Sequence, residues 1–302
     1  MRILRINEQG SSDRDIQDWF TKNCRSIYPW NFYSHVDIKE DGVHVKTHIN
    51  FYRMQSPPPF KIAFLAGDVK IESSIIEDFS FLPKTINGGL HLTTTDIKSV
   101  EGFPTMIYGN LELSNCMLIE SFENVSTLIT GSIHINSVPS LKELKAENIK
   151  FRGAGVIIKS TGITSLVGLP VSTRLNYKEA PYFHVSDSKI KNLIGLPETV
   201  SHLYISKCPL ESIEGIPFNI TEGFRSAVNV SASREGNPEK VNNQIGIYYD
   251  LLEKEYPKSG ETRKEYIKRV IDIDPEISSI IPKEEMPENY SGHKILKKFG
   301  FF

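Results

Sequence analysis

The stretch LHLTTTDIKSVEGFPTMIYGNLELSNC, residues 90–116, decides the fold. It opens and closes on one phrase. Leu90 and Leu92 flank a single polar residue, Thr95 follows three places after Leu92, and Ile97 follows two places after that. Leu111, Leu113, Cys116 and Leu118 repeat the spacing 21 residues further on. Two apolar residues at i and i+2 describe a short strand with one buried face. Between the phrases sits Val100-Glu101-Gly102-Phe103-Pro104, a tail that ends one phrase and allows the next. Pro fixes φ and Gly relieves crowding, so the chain turns back without a long helix.

The phrase recurs in both directions. Apolar pairs stand at Val69/Ile71, Leu90/Leu92, Leu111/Leu113, Ile133/Ile135, Val156/Ile158, Phe183/Val185 and Leu203/Ile205, spaced by 21, 21, 22, 23, 27 and 20 residues. The later apolar position is filled by Ile76, Ile97, Leu118, Ile163, Ile190 and Leu210, and in the unit starting at Ile133 it comes one place late, at Leu141. The residue three places after each pair is Ser74, Thr95, Cys116, Val138, Thr161, Ser188 or Cys208. All but Val138 are small polar residues or cysteine, able to hydrogen-bond the backbone of a neighbouring coil. Tails like the first stand at Leu166–Pro170, Leu193–Pro197 and Ile213–Pro217, and 79–83 lacks only the glycine. One such coil cannot bury its apolar side alone. Stacked coils bury a continuous core and align their strands in a parallel sheet. A period near 21 is too short for a full helix opposite the sheet, so extended or 3₁₀ segments are expected there.

A period of 20–29 with this pattern resembles the leucine-rich repeats, in their short bacterial form. It is most similar to repeat proteins of tailed bacteriophages, in units such as 99–113 (SVEGFPTMIYGNLEL) and 212–220 (SIEGIPFNI). Residues 36–45 resemble the small hairpin that precedes such arrays, and the likeness covers roughly 36–220. The fold class expected is therefore α+β/β-solenoid: a leucine-rich-repeat solenoid with a parallel concave sheet, an N-terminal cap and a helical C-terminal cap. Residues 1–50 are read as the N-terminal cap with a short helix over 13–24 and the hairpin, 51–222 as seven to eight coils, and 223–302 as a helical cap and tail. An insertion loop is expected near 174–181, a last strand over 224–229, and helices from Asn237, over 261–271 and over 274–281.

Composition narrows the function. Hydrophobic residues make up 39% of the 302 and charged residues 24%, as in an ordinary globular chain. A formal net charge of −2 argues against broad phosphate-driven nucleic-acid binding. The N-terminus has no apolar signal region and no stretch of eighteen apolar residues occurs, so no membrane span and a cytoplasmic location are expected. Cys24, Cys116 and Cys208 form no CxxC pair, which fits a reducing compartment, and the last two read as corner residues rather than nucleophiles. There is no P-loop, GxSxG, HExxH or dinucleotide fingerprint, so neither an enzyme nor a cofactor is expected.

The residue inside each apolar pair points away from the core. This row reads Lys70, His91, Glu112, His134, Ile157, His184 and Tyr204. The residues just before the pairs add Asp68, Asn110, Ser132, Tyr182 and His202. Lys70, His91, Glu112, His134, Tyr182, His184, His202 and Tyr204 are the candidate partner-binding residues. His91, Glu112 and His134 are expected in line on three consecutive coils, but a flat row is a poor tetrahedral cage and no metal is expected. The leading expectation is a non-catalytic module that binds one partner protein. The phage resemblance implies a host protein, with inhibition or modulation of a host defence as the outcome. The alternatives are an effector with an enzymatic C-terminal region and a structural or virion component.

Overall fold

The computed structural model describes residues 12–173, 180–221, 227–255, 257–258, 261–273, 275–282 and 285. They divide between two compact units, Met1–Ile163 with Gly168–Leu175 and Thr164–Val167 with Asn176–Phe302. Each is a stack of β-solenoid coils with its own helical cap.

In the first unit the strands Ile49–Tyr52, Val69–Glu72, Leu90–Thr93, Leu111–Ser114, Ile133–Val138 and Gly155–Thr161 pair in parallel, each with the next coil. The register matches the sequence phrase: Leu90 lies opposite Leu111, and His91 opposite Glu112. The apolar pairs are buried and the residue between them faces out, in every strand. Ile49/Phe51 is a further pair at the front of the array, with Ile49 2% and Phe51 0% exposed. The segments opposite the sheet are extended, as expected, and also pair. Thr85–Ile86, Met106–Ile107, Thr127–Ile129, Ile149–Phe151 and Val171–Ser172 form a second parallel sheet.

Two local features make the coils stack. The residue before each corner is left-handed: Arg53, Ser73, Thr94, Asn115, Ser137, Ser160, Asp187 and Lys207 all have φ of 50–55°. That conformation costs an ordinary residue about 1–2 kcal/mol, and short polar side chains tolerate it best. It turns the chain sharply, so the corner side chain reaches inward. Thr95 Oγ1 then donates to the carbonyl of Ile71 (3.1 Å), in the previous coil, and Cys116 Sγ does the same to Leu92 (3.4 Å). Before the strands from Val69 to Gly155 runs a column of glycines, Gly67, Gly88, Gly109, Gly131 and Gly153. A Cβ on Gly131 would lie 2.6 Å from the Asn110 nitrogen, and one on Gly153 would lie 2.1 Å from the carbonyl carbon of Gly131. Gly131 and Gly153 donate to the carbonyls of Gly109 and Gly131 at 2.9 and 3.0 Å, so backbone meets backbone with no room for a side chain.

One expected core residue is not in the core. Leu118 is 54% exposed with φ 72°, and Ile119 (4%) takes its place. The coil from Leu111 to Ile133 carries one more residue than its predecessor. A left-handed Leu118 absorbs it and swings its side chain out. The late arrival read at Leu141 (0% exposed) is the same shift one coil on.

Helix α1 (Asp13–Asn23) caps the first unit. Ser12 and Asp15 form a capping box, and Ile16 and Phe20 are buried. Trp19 meets the rings of Phe51 and Phe60 edge-on at 5.9 and 5.4 Å. A short turn, α2 (Phe32–His35), leads into the hairpin Val36–Lys39/Gly42–Val45. Residues 24–26 cover the open edge of the first strand. Cys24 bridges Phe51, Arg25 N–H donates to the Asn50 carbonyl (2.9 Å), and Asn50 N–H donates to Ser26 Oγ (3.1 Å).

In the second unit Tyr182–Ser186, Leu203–Cys208 and Val228–Ala232 pair in parallel. The expected last strand thus runs over 228–232, and residues 222–226 lie outside the described set, as do 174–179 of the expected loop and most of the tail. Helix α3 (Pro238–Lys254) starts on an Asn237 cap with Pro238 in its first turn. Side-chain hydrogen bonds fasten it to the last coils. Ile213 N–H donates to Gln244 Oε1 (3.0 Å), and the Tyr248 and Tyr249 hydroxyls donate to the carbonyls of Pro217 and Val228, both at 2.7 Å. Helix α4 (Arg263–Ile273) buries Tyr266, Ile267, Val270 and Ile271, the four residues its periodicity selects. The third helical segment is 3₁₀, Pro275–Ile280.

Candidate functional site

The face that the sequence points to exists in both units, and the two versions differ. In the first unit the outward row is Asn50, Lys70, His91, Glu112, His134 and Ile157, neighbour to neighbour through the parallel register. It is laced with polar contacts. Glu72 accepts from Asn50 Nδ2 (2.8 Å) and pairs with Lys70 (3.2 Å) and Arg25 (3.6 Å). The Asn50 hydrogen bond, then the contacts with Lys70 and Arg25, hold its carboxyl below the usual glutamate range. Glu112 stands between two imidazoles, at 2.9 Å from His91 Nδ1 and 3.6 Å from His134 Nδ1. His134 Nε2 is shielded from solvent and has no hydrogen-bond partner among the described residues. The three expected in line are in line. Among the described residues no group of three or more His, Cys, Asp or Glu side chains is arranged to hold a metal ion.

The residues just before the strands behave differently from the row. Asp68 Oδ1 accepts the Gly89 N–H (2.7 Å) and Asn110 Oδ1 accepts the Ser132 N–H (2.9 Å). His48 Nδ1 likewise accepts the Asp68 N–H (2.9 Å). These side chains tie coil to coil, which gives Asp68 and Asn110 a structural role in the stack.

In the second unit the outward residues are Tyr182, His184 and Ser186 on one strand, Tyr204, Ser206 and Lys207 on the next, and Asn229 and Ser231 on the last. His202 stands just before its strand and is exposed. His184 lies opposite Tyr204, and Tyr204 opposite Asn229. The His184 and Tyr204 rings meet edge to face at 4.4 Å, with Tyr204 40% exposed. Apart from Lys207, at the corner end of its strand, no Asp, Glu, Lys or Arg stands among these residues.

The cysteines sit at corners and in the cap, all three buried. Burial pushes the Cys116 and Cys208 thiols up to about 11, and pushes Cys24 well up too. A thiol in that range is protonated near neutral pH and is a weak nucleophile.

Sequence reasoning passed over Asn50, Tyr52 and Arg53, although Ile49/Phe51 obeys the phrase. It passed over Gln244 as well, whose polarity hides a cap role until the N–H it serves is known. No helix among the described residues is long and apolar enough to cross a membrane. Compared with known proteins, the chain matches no family model, no curated protein and no solved structure.

Proposed function

We propose that this chain is a non-catalytic, leucine-rich-repeat interaction module that binds one partner protein through the outward face of its parallel strands. The observation that carries the reading is the patch of Tyr182, His184, His202 and Tyr204 with Ser186, Ser206 and Asn229 around it. Depletion of charge with enrichment of aromatics is the composition of interface centres. Tyr, Ser and Asn together are also the mixture that antibody binding loops favour, because Tyr gives large contact area at low entropic cost. The strands Tyr182–Ser186 and Leu203–Cys208 lie inside the sheet with their backbone groups in the parallel ladder, so recognition over them falls to side chains.

The likeness of units 99–113 and 212–220 to bacteriophage repeats makes the partner a host protein, met in the host cytoplasm, and the outcome inhibition or modulation of its activity. The test is affinity capture from host lysate with the chain beside a His184→Glu/Tyr204→Glu variant. The expected result is one stoichiometric partner that the variant loses while its thermal melting is unchanged. A partner retained in full by the variant overturns the reading.

A further inference from the structure

A second surface, in the first unit, joins the N-terminal cap to the first strand, and its chemistry differs from that of the Tyr182/Tyr204 patch. Arg25 stacks its guanidinium on the Tyr52 ring at 3.3 Å from the centroid, and Arg53 approaches the same ring at 4.9 Å. Lys70 stands in the next coil, opposite Asn50. Three cations thus gather where one carboxylate, Glu72, serves two of them, at 3.6 Å from Arg25 and 3.2 Å from Lys70. Arg53 has no carboxylate partner among the described residues, and Arg25 is half exposed. From Arg25 the chain runs on into Tyr28-Pro29-Trp30-Asn31. Asn31 closes that turn by accepting the Tyr28 N–H on Oδ1 (2.7 Å) and donating its own N–H to the Tyr28 carbonyl (3.1 Å). Gln17 Nε2 of α1 holds the Pro29 carbonyl at 3.1 Å.

The turn presents two aromatic rings side by side. Tyr28 and Trp30 lie parallel within 3°, with centroids 5.7 Å apart, and Trp30 is 81% exposed. Tyr33 is also exposed, at 49%. Burial in a core does not explain a tryptophan that is 81% exposed. Trp, Tyr and Arg are the residue types that dominate protein-binding hot spots, and here they stand preordered with excess positive charge. Between Arg25 and Asp37 there is no acidic residue.

We propose that this cap surface, Arg25, Arg53 and Tyr52 with Tyr28 and Trp30, docks an acidic, aromatic-containing peptide segment of a protein partner. Its carboxylates pair with the two guanidiniums, which offer forked donors, and its rings pack on the Tyr28/Trp30 platform. This site is independent of the sheet-face reading and stands if that reading fails.

The test uses the whole chain and a fluorescein-labelled peptide of about twelve alternating Glu and Tyr residues, with Lys/Tyr and Gln/Tyr peptides of equal length beside it. The expected result is saturable binding of the Glu/Tyr peptide, about tenfold or more tighter than either control and weakened by ~0.5 M salt. Trp30 and Trp19 are the only tryptophans, so bound peptide changes an emission that Trp30→Ala removes. Arg25→Glu/Arg53→Glu is expected to weaken binding about tenfold or more, and Tyr204→Ala to leave it unchanged. Absence of binding at about 1 mM peptide, equal binding of the Lys/Tyr peptide, or full affinity in the Arg25→Glu/Arg53→Glu variant overturns the proposal.

Discussion

The outward sheet faces of the two units come from one repeat phrase and have opposite chemistry. In the first unit the row carries Lys70, Glu72, His91 and Glu112, and each charged group has a partner within the face. In the second unit the equivalent positions carry His184, Ser186, Tyr204, Ser206 and Asn229, without a formal charge. A face whose charged groups are paired internally gives a partner little to gain from them, since each ion pair must be broken or left as it is. A face of tyrosine, serine and asparagine keeps its contacts in reserve. The repeat fixes the stacking, and the variable outward positions set what each stretch of sheet can do.

The harshest way to break the comparison is to stop the coils stacking. Gly153→Ala places a methyl against backbone on a neighbouring coil that has no flexible end to move aside. A loss of about 3 kcal/mol or more is expected by urea denaturation, which would remove the faces as well. A result within ~0.5 kcal/mol of the parent would mean that the coils are not held this close.

Next comes the capping of the second unit. Glu261 accepts from Arg269 Nε at 2.8 Å, and Arg269 also bonds Glu255, which ties the middle of α4 to the C-cap of α3. The Arg269 hydrogen bonds pull the Glu261 carboxyl down to about 2 from 4.5. A carboxylate whose folded pKa is depressed stabilises the fold above its unfolded pKa, and that stability is lost as pH falls from about 4.5 towards 2. The contribution is up to about 3 kcal/mol, and thermal melts of the parent and Glu261→Gln should converge through that window. Parallel pH profiles for the two proteins would remove the pair from this account.

The comparison itself is sharpened by paired substitutions. Tyr204→Ala is expected to weaken binding of the captured partner by about 2 kcal/mol, roughly 30-fold, measured by calorimetry. Glu112→Gln in the first unit is expected to change both binding and stability by less than ~1 kcal/mol, because an exposed ion pair contributes little. The reverse order of effects would move the site to the first unit. The smallest effect concerns a corner: Thr94→Gly, at φ 51° and exposed, is expected to raise stability by up to about 1 kcal/mol in the same denaturation assay.

The sequence alone determined the coil. Two apolar residues two apart, a small polar corner and a Gly-x-Pro tail are local features, and buried strand faces follow from their period whatever surrounds them. The row Lys70, His91, Glu112, His134 and the pair His184 and Tyr204 were legible for the same reason, since a side chain between two buried neighbours must face out. Coils that replace a glycine were harder to read: Asn124, with φ 67°, takes the left-handed place that Gly102 fills, and asparagine does not announce it. What only the tertiary structure decided is how groups from different coils meet. Asp68 and Asn110 turn to the backbone of the next coil, Gln244 answers an N–H 31 residues away, and Arg25 and Arg53 converge on Tyr52. Each of these depends on a distance between segments remote in the chain, set by stacking at the backbone separation the glycine column allows, and no local pattern of residue types encodes that distance.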